Sequence, residues 1–460
     1  MFRQKTWSSV GVLLALAVLL SACVTTGAPE PTQKPAEPAA PTEAPAAEAP
    51  ATEAPAAEAP AEEPQVVRIG VPYMLTGSSA QIGIDCKSGV ELAADIINNE
   101  YPDLDPLPLA ATAGLPNLNG AKIELVFGDT KGAPDRAMSE AERLITDQQV
   151  VALMGGIFSS CSATVTEAGE RYEVPTVVGC SSSPSLHTRG FKWFFRVGPH
   201  DGLLGENQMQ FLAYLRDEKG VDIKTVALLH EDTLFGTQSA DMQEQFAPKY
   251  GFEVVDRVQY PRESPDMSSE ILKIKSVDPD AFMPTSYAAD AILMQRTMKE
   301  LDFNPAVILA QDSGHSIPQF TETLGPDADY TMSRETFNPD LGVTVPLLAK
   351  VNALFNEYAD KDMYGDSARE FMALIVLADA INRAESTDPE AIRQALTETD
   401  LTAEQIMLPW EGVAFDSETG QNTRARGIMV QVQNGTYLTV WPPDVATSEP
   451  WSPMPAWNER

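Results

Sequence analysis

The stretch from Gly155 to Gly190 constrains the fold of this chain most strongly. It reads GGIFSSCSATVTEAGERYEVPTVVGCSSSPSLHTRG and follows an apolar run, Val150 to Met154. The apolar run predicts a buried strand, the middle of the stretch predicts a helix, and Val174 to Gly179 predicts a second strand. A strand, a helix and a strand at this spacing form a parallel βαβ unit, so we predict an open parallel sheet.

Both turns of this stretch are rich in small hydroxyl side chains. The serines of the two turns are Ser159, Ser160, Ser162, Ser181, Ser182 and Ser183. Because the turns follow successive parallel strands, we expect both at the carboxyl edge of one sheet, where open α/β sheets bind ligands. Backbone N–H groups and hydroxyls there can hold an anion such as a carboxylate. The predicted ligand-binding serines are Ser159, Ser160, Ser181 and Ser182. The alternative is that they only cap helices and form turns.

The alternation of strands and helices continues along the chain. It runs from Val66 to Val197 and again from Thr225 to Gln311. This spacing predicts an α/β protein with two lobes, each built on a doubly wound parallel sheet. Residues 345–396 are predicted to be mostly helical and residues 412–441 to form short strands. We expect the Pro- and Trp-rich residues 442–460 to form an irregular tail.

The amino terminus has the pattern of a bacterial secretory signal. Met1 to Lys5 is positively charged, and Val10 to Leu20 is an apolar run too short to span a membrane as a stable helix. The run ends in Leu20-Ser21-Ala22-Cys23, which resembles the lipobox of bacterial lipoproteins. The resemblance implies a signal peptide over residues 1–22 and a lipid on the Cys23 thiol that anchors the protein at the outer face of a membrane. The alternative is an ordinary signal peptide with a chance cysteine.

Residues 23–64 lack the side chains that build a core. They repeat the pattern E-A-P-A-x from Glu43, Glu48, Glu53 and Glu58. Proline at this density blocks helix and sheet, and the spaced glutamates repel one another. We predict an extended, solvated tether that carries the folded part away from the membrane.

Charge and histidine content exclude several classes of function. The formal net charge is −34, so the surface repels nucleic acid, and no nucleic-acid partner is expected. The chain has four histidines, none of them at metal-ligand spacing, and neither HExxH nor CxxC occurs. We therefore expect no metal site and no cofactor.

An ordered set of segments resembles the leucine/isoleucine/valine-binding-protein family, the type I solute-binding proteins of ABC transporters. The segments are IGVPYMLTGSSAQIG with GVELAADIIN, KIELVFGD, AERLITDQQVVALMGGIFSS, YEVPTVVGCSSSPSLHTRG, KWFFRVGPHD, HEDTLFG and PDAFMPTSYAADAILMQRTMKELDF. The resemblance covers about Val66 to Tyr437. It implies a type I periplasmic-binding-protein fold, in which a hinge of three crossovers joins the two lobes.

The same resemblance sets the expected domain boundaries. The two-lobed solute-binding domain is expected over residues 65–441. Its first lobe is expected at about 66–198 with 336–408, and its second lobe at about 199–335 with 409–441.

The resemblance also assigns roles to single residues. Ser159 is expected to meet the carboxylate of the solute, and Ser181 and Ser182 its carboxylate and ammonium. Phe235 stands where many family members have Tyr, and Tyr287 matches an aromatic residue that covers the ligand. The two rings could equally be core aromatics.

Asp312 falls where the family places an acid for the α-ammonium of the solute. A carboxylate in a closing cleft is costly unless it is paired, which argues for a cationic group on the solute. The alternative is a helix N-cap, because Ser313, Gly314 and His315 follow it.

Three cysteines remain after lipidation: Cys86, Cys161 and Cys180. An oxidising compartment allows one disulfide among them. Cys161 and Cys180 lie beside the two serine-rich turns and form the first expected pair. A Cys86–Cys161 pair is the second, and three buried thiols are the alternative to any disulfide.

The expected function is that of an extracytoplasmic substrate-binding protein of an ABC importer. The solute is expected to be a branched-chain or other amino acid, and the partners a membrane permease and, through the lipid, the membrane. The alternatives are an amide, urea-like or carboxylate solute, or a sensory ligand-binding protein of the same fold. An enzyme is not expected, since a serine hydrolase needs a GxSxG elbow, which the sequence lacks.

Overall fold

The computed structural model describes residues 65–460. The predicted signal peptide, the lipidated Cys23 and the tether all lie outside the described residues. Within the described part, the chain folds into two α/β lobes, which we call lobe 1 and lobe 2. No helix of this part is both long and apolar enough to cross a membrane.

Lobe 1 is built on a five-stranded sheet. Its strands are β1 (Val66–Tyr73), β2 (Lys122–Asp129), β3 (Ala152–Met154), β4 (Thr176–Val178) and β5 (Phe194–Arg196). The strand order is β2-β1-β3-β4-β5, and every neighbouring pair is parallel. This confirms the parallel sheet predicted from the alternation of apolar runs and helices.

Helices cover both faces of the lobe 1 sheet. They are α1 (Ala80–Asn98), α2 (Pro134–Thr146), α3 (Ser159–Tyr172), α9 (Pro346–Ala359), α10 (Gly365–Ala384) and α11 (Pro389–Thr397). The helices numbered between α3 and α9 belong to lobe 2 and are given below. Almost every residue of α10 from Gly365 to Ile381 is buried, so this helix lies in the core rather than on the surface. It packs closely on α1, because a Cβ on Gly89 would come within 2.5 Å of the backbone oxygen of Ser367.

Lobe 2 is built on a seven-stranded sheet with the order β14-β13-β10-β9-β8-β6-β7. Its strands are β6 (Thr225–Glu231), β7 (Glu253–Tyr260), β8 (Ala281–Thr285), β9 (Val307–Ala310), β10 (Met332–Glu335), β13 (Ile428–Gln433) and β14 (Thr436–Trp441). Its helices are α4 (Asp201–Asp217), α5 (Leu234–Phe246), α6 (Ser268–Ser276), α7 (Ala288–Glu300) and α8 (Pro318–Leu324).

The lobe 2 sheet is mixed, whereas the sequence predicted a parallel one. The five strands β6 to β10 are parallel, but β13 is antiparallel to both β10 and β14. The reason is local: only Asn434 and Gly435, both at positive φ, separate β13 from β14. A two-residue turn forces the strands that it joins to be antiparallel.

The chain passes between the lobes three times. The crossings follow β5, β10 and a short antiparallel pair, β11 (Asp400–Thr402) with β12 (Gly412–Ala414). Val413 of β12 packs in the same core cluster as α10. Arg196 joins two crossings, since its Nε donates to Gln421 at 2.6 Å and its carbonyl accepts from the N–H of Asn422 at 2.9 Å.

The carboxyl-terminal residues are fixed to lobe 2. They form no strand, and one short 3₁₀ turn lies at Trp457–Glu459. The N–H of Met454 donates to the carbonyl of Ala306 at 2.9 Å, and the indole of Trp457 donates to that of Phe303 at 3.0 Å. The predicted irregular tail thus packs against the lobe 2 sheet.

Candidate functional site

A small cavity lies between the two lobes, at the carboxyl ends of the parallel strands. Lobe 1 contributes residues from α1, from the start of α3, from the turn after β4 and from α10. Lobe 2 contributes residues that follow β6, β8 and β9, together with one residue of β10. The lining residues are Ile82, Ile157, Phe158, Ser159, Cys180, Ser181, Ser182, Phe235, Tyr287, Asp312, Ser313, Arg334, Asp366 and Arg369. The cavity volume is about 20 Å³. One water molecule needs about 10–15 Å³, so the cavity has room for a single water. The lobes are therefore closed, and they must separate before an amino-acid-sized solute can enter.

The amino terminus of α3 points its first turn at this cavity. Ser159 is the first residue of the helix and is 2% exposed. The N-cap is Phe158, whose side chain cannot cap, so no side chain satisfies the first N–H groups of α3. The hydroxyl of Ser159 accepts only one weak hydrogen bond, from the N–H of Ser183 at 3.4 Å. This helix start can bind an anion.

The other predicted serines differ in what they contact. Ser181 bridges the two turns, because its Oγ lies 2.8 Å from the carbonyl of Gly156 and 2.6 Å from the hydroxyl of Ser162. Ser182 lines the cavity, whereas Ser160 is half-buried on α3 and lies outside the lining. The structure thus brings three of the four serines to the cavity.

Three aromatic rings form the apolar wall, and two of them are the predicted Phe235 and Tyr287. Phe158 of lobe 1 stacks on Tyr287 of lobe 2 with 4.0 Å between ring centroids. Phe235 lies on the other side of Tyr287, with 5.7 Å between centroids. Rings in this arrangement can enclose an apolar part of a solute when the lobes close on it.

Asp312 lies in the cavity wall, but it is already paired. Its Oδ2 accepts from Arg334 at 2.6 Å and from Arg369 at 3.0 Å, and its Oδ1 accepts from the hydroxyl of Ser316 at 2.8 Å. Burial alone would raise the pKa of Asp312, but the two guanidinium groups outweigh burial and hold that pKa well below its usual range. The side chain makes no capping hydrogen bond, so it does not act as a helix N-cap.

Three charged residues of the site were missed from sequence: Arg334 in β10, and Asp366 and Arg369 in α10. Each is at most 6% exposed. Burial raises the pKa of Asp366, and the Arg369 guanidinium opposes that rise only in part. The sequence carries little signal for them, because β10 reads MSRE and α10 begins GDSARE, so neither stretch looks like an apolar segment that buries a charge.

A second buried layer lies directly behind the cavity. The Glu370 carboxylate accepts from the Tyr73 hydroxyl at 2.6 Å and from the N–H of Cys180 at 2.9 Å. Burial raises the pKa of Glu370 to about 7, although these hydrogen bonds oppose the rise. The layer fixes the backbone of the serine-rich turn at Cys180.

The predicted Cys161–Cys180 disulfide is wrong, because all three described cysteines are buried free thiols. Cys180 lies near Cys86 and Glu370, whereas the charged neighbours of Cys161 are Arg262 and Asp135, so the two thiols face different surroundings. Burial raises the pKa of Cys86 and of Cys161 to about 12, which leaves both thiols protonated and unreactive at neutral pH.

Known proteins share both this sequence pattern and this architecture. Residues 66–436 match the family model of the periplasmic binding proteins. A Leu/Ile/Val-binding protein homolog of Brucella suis biovar 1 is 28% identical over 389 residues, which span 83% of this chain and 93% of that protein.

Two solved structures are also similar. The leucine binding protein of Thermotoga maritima has a TM-score of 0.70 at 23% identity, over 82% of this chain and 99% of the other. The branched-chain amino acid transporter substrate binding protein of Streptococcus pneumoniae, in complex with isoleucine, has a TM-score of 0.67 at 19% identity, over 81% and 98%.

Two lobes, three crossings and an interlobe cleft define the type I periplasmic-binding-protein fold, as the resemblance predicted. The chain belongs to the periplasmic binding protein family, whose model matches most of its length. Members of this family are substrate-binding proteins rather than enzymes, and membership implies an extracytoplasmic location.

Proposed function

We propose that this protein captures a small carboxylate solute between its lobes and delivers it to the permease of a membrane ABC importer. The observation that carries the proposal is the uncapped start of α3, with the nearly free hydroxyl of Ser159, in a cleft that both lobes line. A carboxylate bound there accepts hydrogen bonds from the N–H groups of the first turn of α3, and it needs no basic side chain. The lipid on Cys23 would keep the protein close to its permease.

The relatives favour an amino acid as the solute, since one similar structure holds isoleucine and a curated relative is named for Leu, Ile and Val. The aromatic wall of Phe158, Phe235 and Tyr287 suits an apolar side chain. A carboxylate or amide that lacks the ammonium is the second candidate. This second candidate is favoured by the contacts of Asp312. Arg334 and Arg369 already donate to its carboxylate, which leaves little room for a cation of the ligand.

A thermal-shift screen of the purified protein tests the proposal. The panel contains amino acids, amine-free carboxylates, amides and sugars. We expect carboxylate-bearing compounds to raise the melting temperature, because a ligand that binds only the native state stabilises it by mass action. Stabilisation by sugars alone, or by no compound of the panel, would contradict the proposal.

Co-purification with a permease rather than with a sensor kinase would distinguish delivery from sensing.

A further inference from the structure

The guanidinium of Arg369 lies between two carboxylates of the cleft. Arg369 belongs to the first turns of α10 in lobe 1 and is 2% exposed. Its Nη2 donates to Oδ2 of Asp312 in lobe 2 at 3.0 Å and also to Oδ1 of Asp366. Its Nη1 donates to the hydroxyl of Thr336 at 2.7 Å. One cation of the protein itself therefore fills the position between the two acids that line the cavity.

Asp312 has little capacity left for a second cation. Both of its oxygens accept hydrogen bonds, Oδ1 from Ser316 and Oδ2 from Arg334 and Arg369. An incoming ammonium would have to displace a guanidinium that is itself buried. A displaced guanidinium would be left as a buried charge without its partner, which is strongly unfavourable.

The charges on the cavity wall also do not favour a cation. Four acidic and basic side chains line the cavity: Asp312, Asp366, Arg334 and Arg369. Two are acids and two are permanently charged bases, so the lining itself is balanced, although behind it Arg334 also faces Asp201 at 3.6 Å and Arg369 also faces Glu335 at 3.8 Å. In addition, the Nε atoms of Arg334 and Arg369 are buried without hydrogen-bond partners. The Oδ2 of Asp201 and the Oε1 of Glu335, on carboxylates that face the same arginines, are also buried without hydrogen-bond partners.

We infer that Arg369 takes the place of a ligand ammonium, and that the solute is a carboxylate or amide with an apolar body and no free ammonium next to its carbonyl carbon. The inference rests on the proposed function and narrows its solute class. Arg369 is then the residue that excludes zwitterionic amino acids. It does so because its guanidinium pairs with Asp312 and Asp366, the two acids that would otherwise bind the ammonium.

Matched ligand pairs test this inference on the unaltered protein. Isothermal titration calorimetry compares leucine with 4-methylpentanoate and its amide, and phenylalanine with 3-phenylpropanoate. We expect the amine-free member of at least one pair to bind at least tenfold more tightly than the amino acid. Tighter binding of the amino acid in every pair that binds would overturn the inference and leave the proposed function intact. Binding of no member of either pair would overturn the inference, while the proposed function is judged by the wider thermal-shift panel.

Substitution of Arg369 tests its role directly. Arg369→Met keeps the length of the side chain but frees Asp312 and Asp366 for an ammonium, so the preference for the amine-free ligand should fall at least tenfold. Arg171→Met, on the half-exposed surface of α3, is the control and should leave the preference unchanged. An unchanged preference in the Arg369 variant would show that another group excludes the ammonium.

A charge-balanced variant covers the case in which Arg369→Met does not fold. Arg369→Met combined with Asp366→Asn removes one cation and one anion together and leaves Asp312 with Arg334. We expect this double variant to lose part of the preference for amine-free ligands, because Arg369 no longer donates to Asp312 while Arg334 still does. Retention of the full preference in the double variant would overturn the inference.

Discussion

At the scale of single residues, the site is defined by what each polar group already contacts. Ser159 and Ser181 look alike in sequence, yet the hydroxyl of Ser181 is held by Gly156 and Ser162, whereas that of Ser159 accepts one long hydrogen bond. Asp312 is held by two guanidinium groups. A residue can bind a ligand only with capacity that the protein has left free, so Ser159 is the stronger ligand-binding candidate.

Ser159→Ala should weaken solute binding without unfolding the protein. Loss of a hydrogen bond to a charged group costs about 1.5–3 kcal/mol, or roughly tenfold to a hundredfold in affinity. The melting temperature of the unliganded protein should change little, since the hydroxyl supports only one weak contact. Calorimetry and thermal unfolding measure the two effects. Ser160→Ala, at the neighbouring position outside the cavity, is the control; equal losses in both variants would contradict a ligand contact at Ser159.

Glu370 should make the stability of the protein depend on pH. Its pKa is about 7 in the folded state and near 4.3 in the unfolded chain. Between these values the folded state binds more protons, so the free energy of unfolding falls as the pH rises from 4.5 to 7. The contribution is on the order of 4 kcal/mol at most.

Glu370→Gln keeps an acceptor for the N–H of Cys180 and removes the titration. Urea unfolding at pH 5 and pH 7.5 should therefore show a smaller pH dependence in this variant than in the unaltered protein. The exposed Glu124→Gln substitution is the control, since that side chain is about half exposed. The same pH dependence in all three proteins would mean that Glu370 is ionised in the folded state.

At the scale of elements, α10 joins the core of lobe 1 to the site. Its first turns carry Asp366 and Arg369 to the cavity, and its following residues pack on α1 and beneath β4. The close approach of α1 to α10 requires glycine at position 89, where the helix surface has no room for a methyl group. Small movements of α10 would therefore shift the ion pairs of the site.

Gly89→Ala should destabilise the protein by up to about 2 kcal/mol. The intrinsic helix preference of alanine favours the substitution by about 1 kcal/mol, but overpacking against the backbone of α10 typically costs about 1–3 kcal/mol and alters its position. Urea unfolding measures the loss. Ser88→Ala, at the adjacent and more exposed position of α1, should be nearly neutral. A gain in stability for Gly89→Ala would show that the two helices can separate freely.

At the scale of the whole molecule, contacts between the lobes hold the cleft closed. Phe158 of lobe 1 stacks on Tyr287 of lobe 2, and the hydroxyl of Ser78 donates to Glu263 across the cleft at 2.6 Å. The Arg369–Asp312 ion pair also joins the lobes. The contacts between the lobes are fewer than those inside the core of each lobe. The lobes can therefore open and close while each of them stays folded.

Phe158→Ala should shift the protein toward an open form. An aromatic pair contributes about 0.5–1.5 kcal/mol beyond its buried area, so its loss should reduce the ratio of closed to open protein roughly twofold to tenfold. Small-angle X-ray scattering should give a larger radius of gyration for the variant without ligand. Tyr172→Ala, an exposed aromatic position on α3, is the control. An unchanged radius would mean that other contacts suffice to hold the lobes together.

The alternation of strands and helices, the two α/β lobes and the serine-rich turns at the edge of the lobe 1 sheet could all be predicted from the amino-acid sequence. These features depend on local periodicity and on the order of elements along the chain, which a sequence displays directly. The electrostatics of the site, in contrast, depend on tertiary contacts. Asp312 meets Arg334, which is 22 positions away, and Arg369, which is 57 positions away and in the other lobe. No local pattern encodes such a contact, because an ion pair forms only where folding brings two distant side chains within a few ångströms and removes water from both.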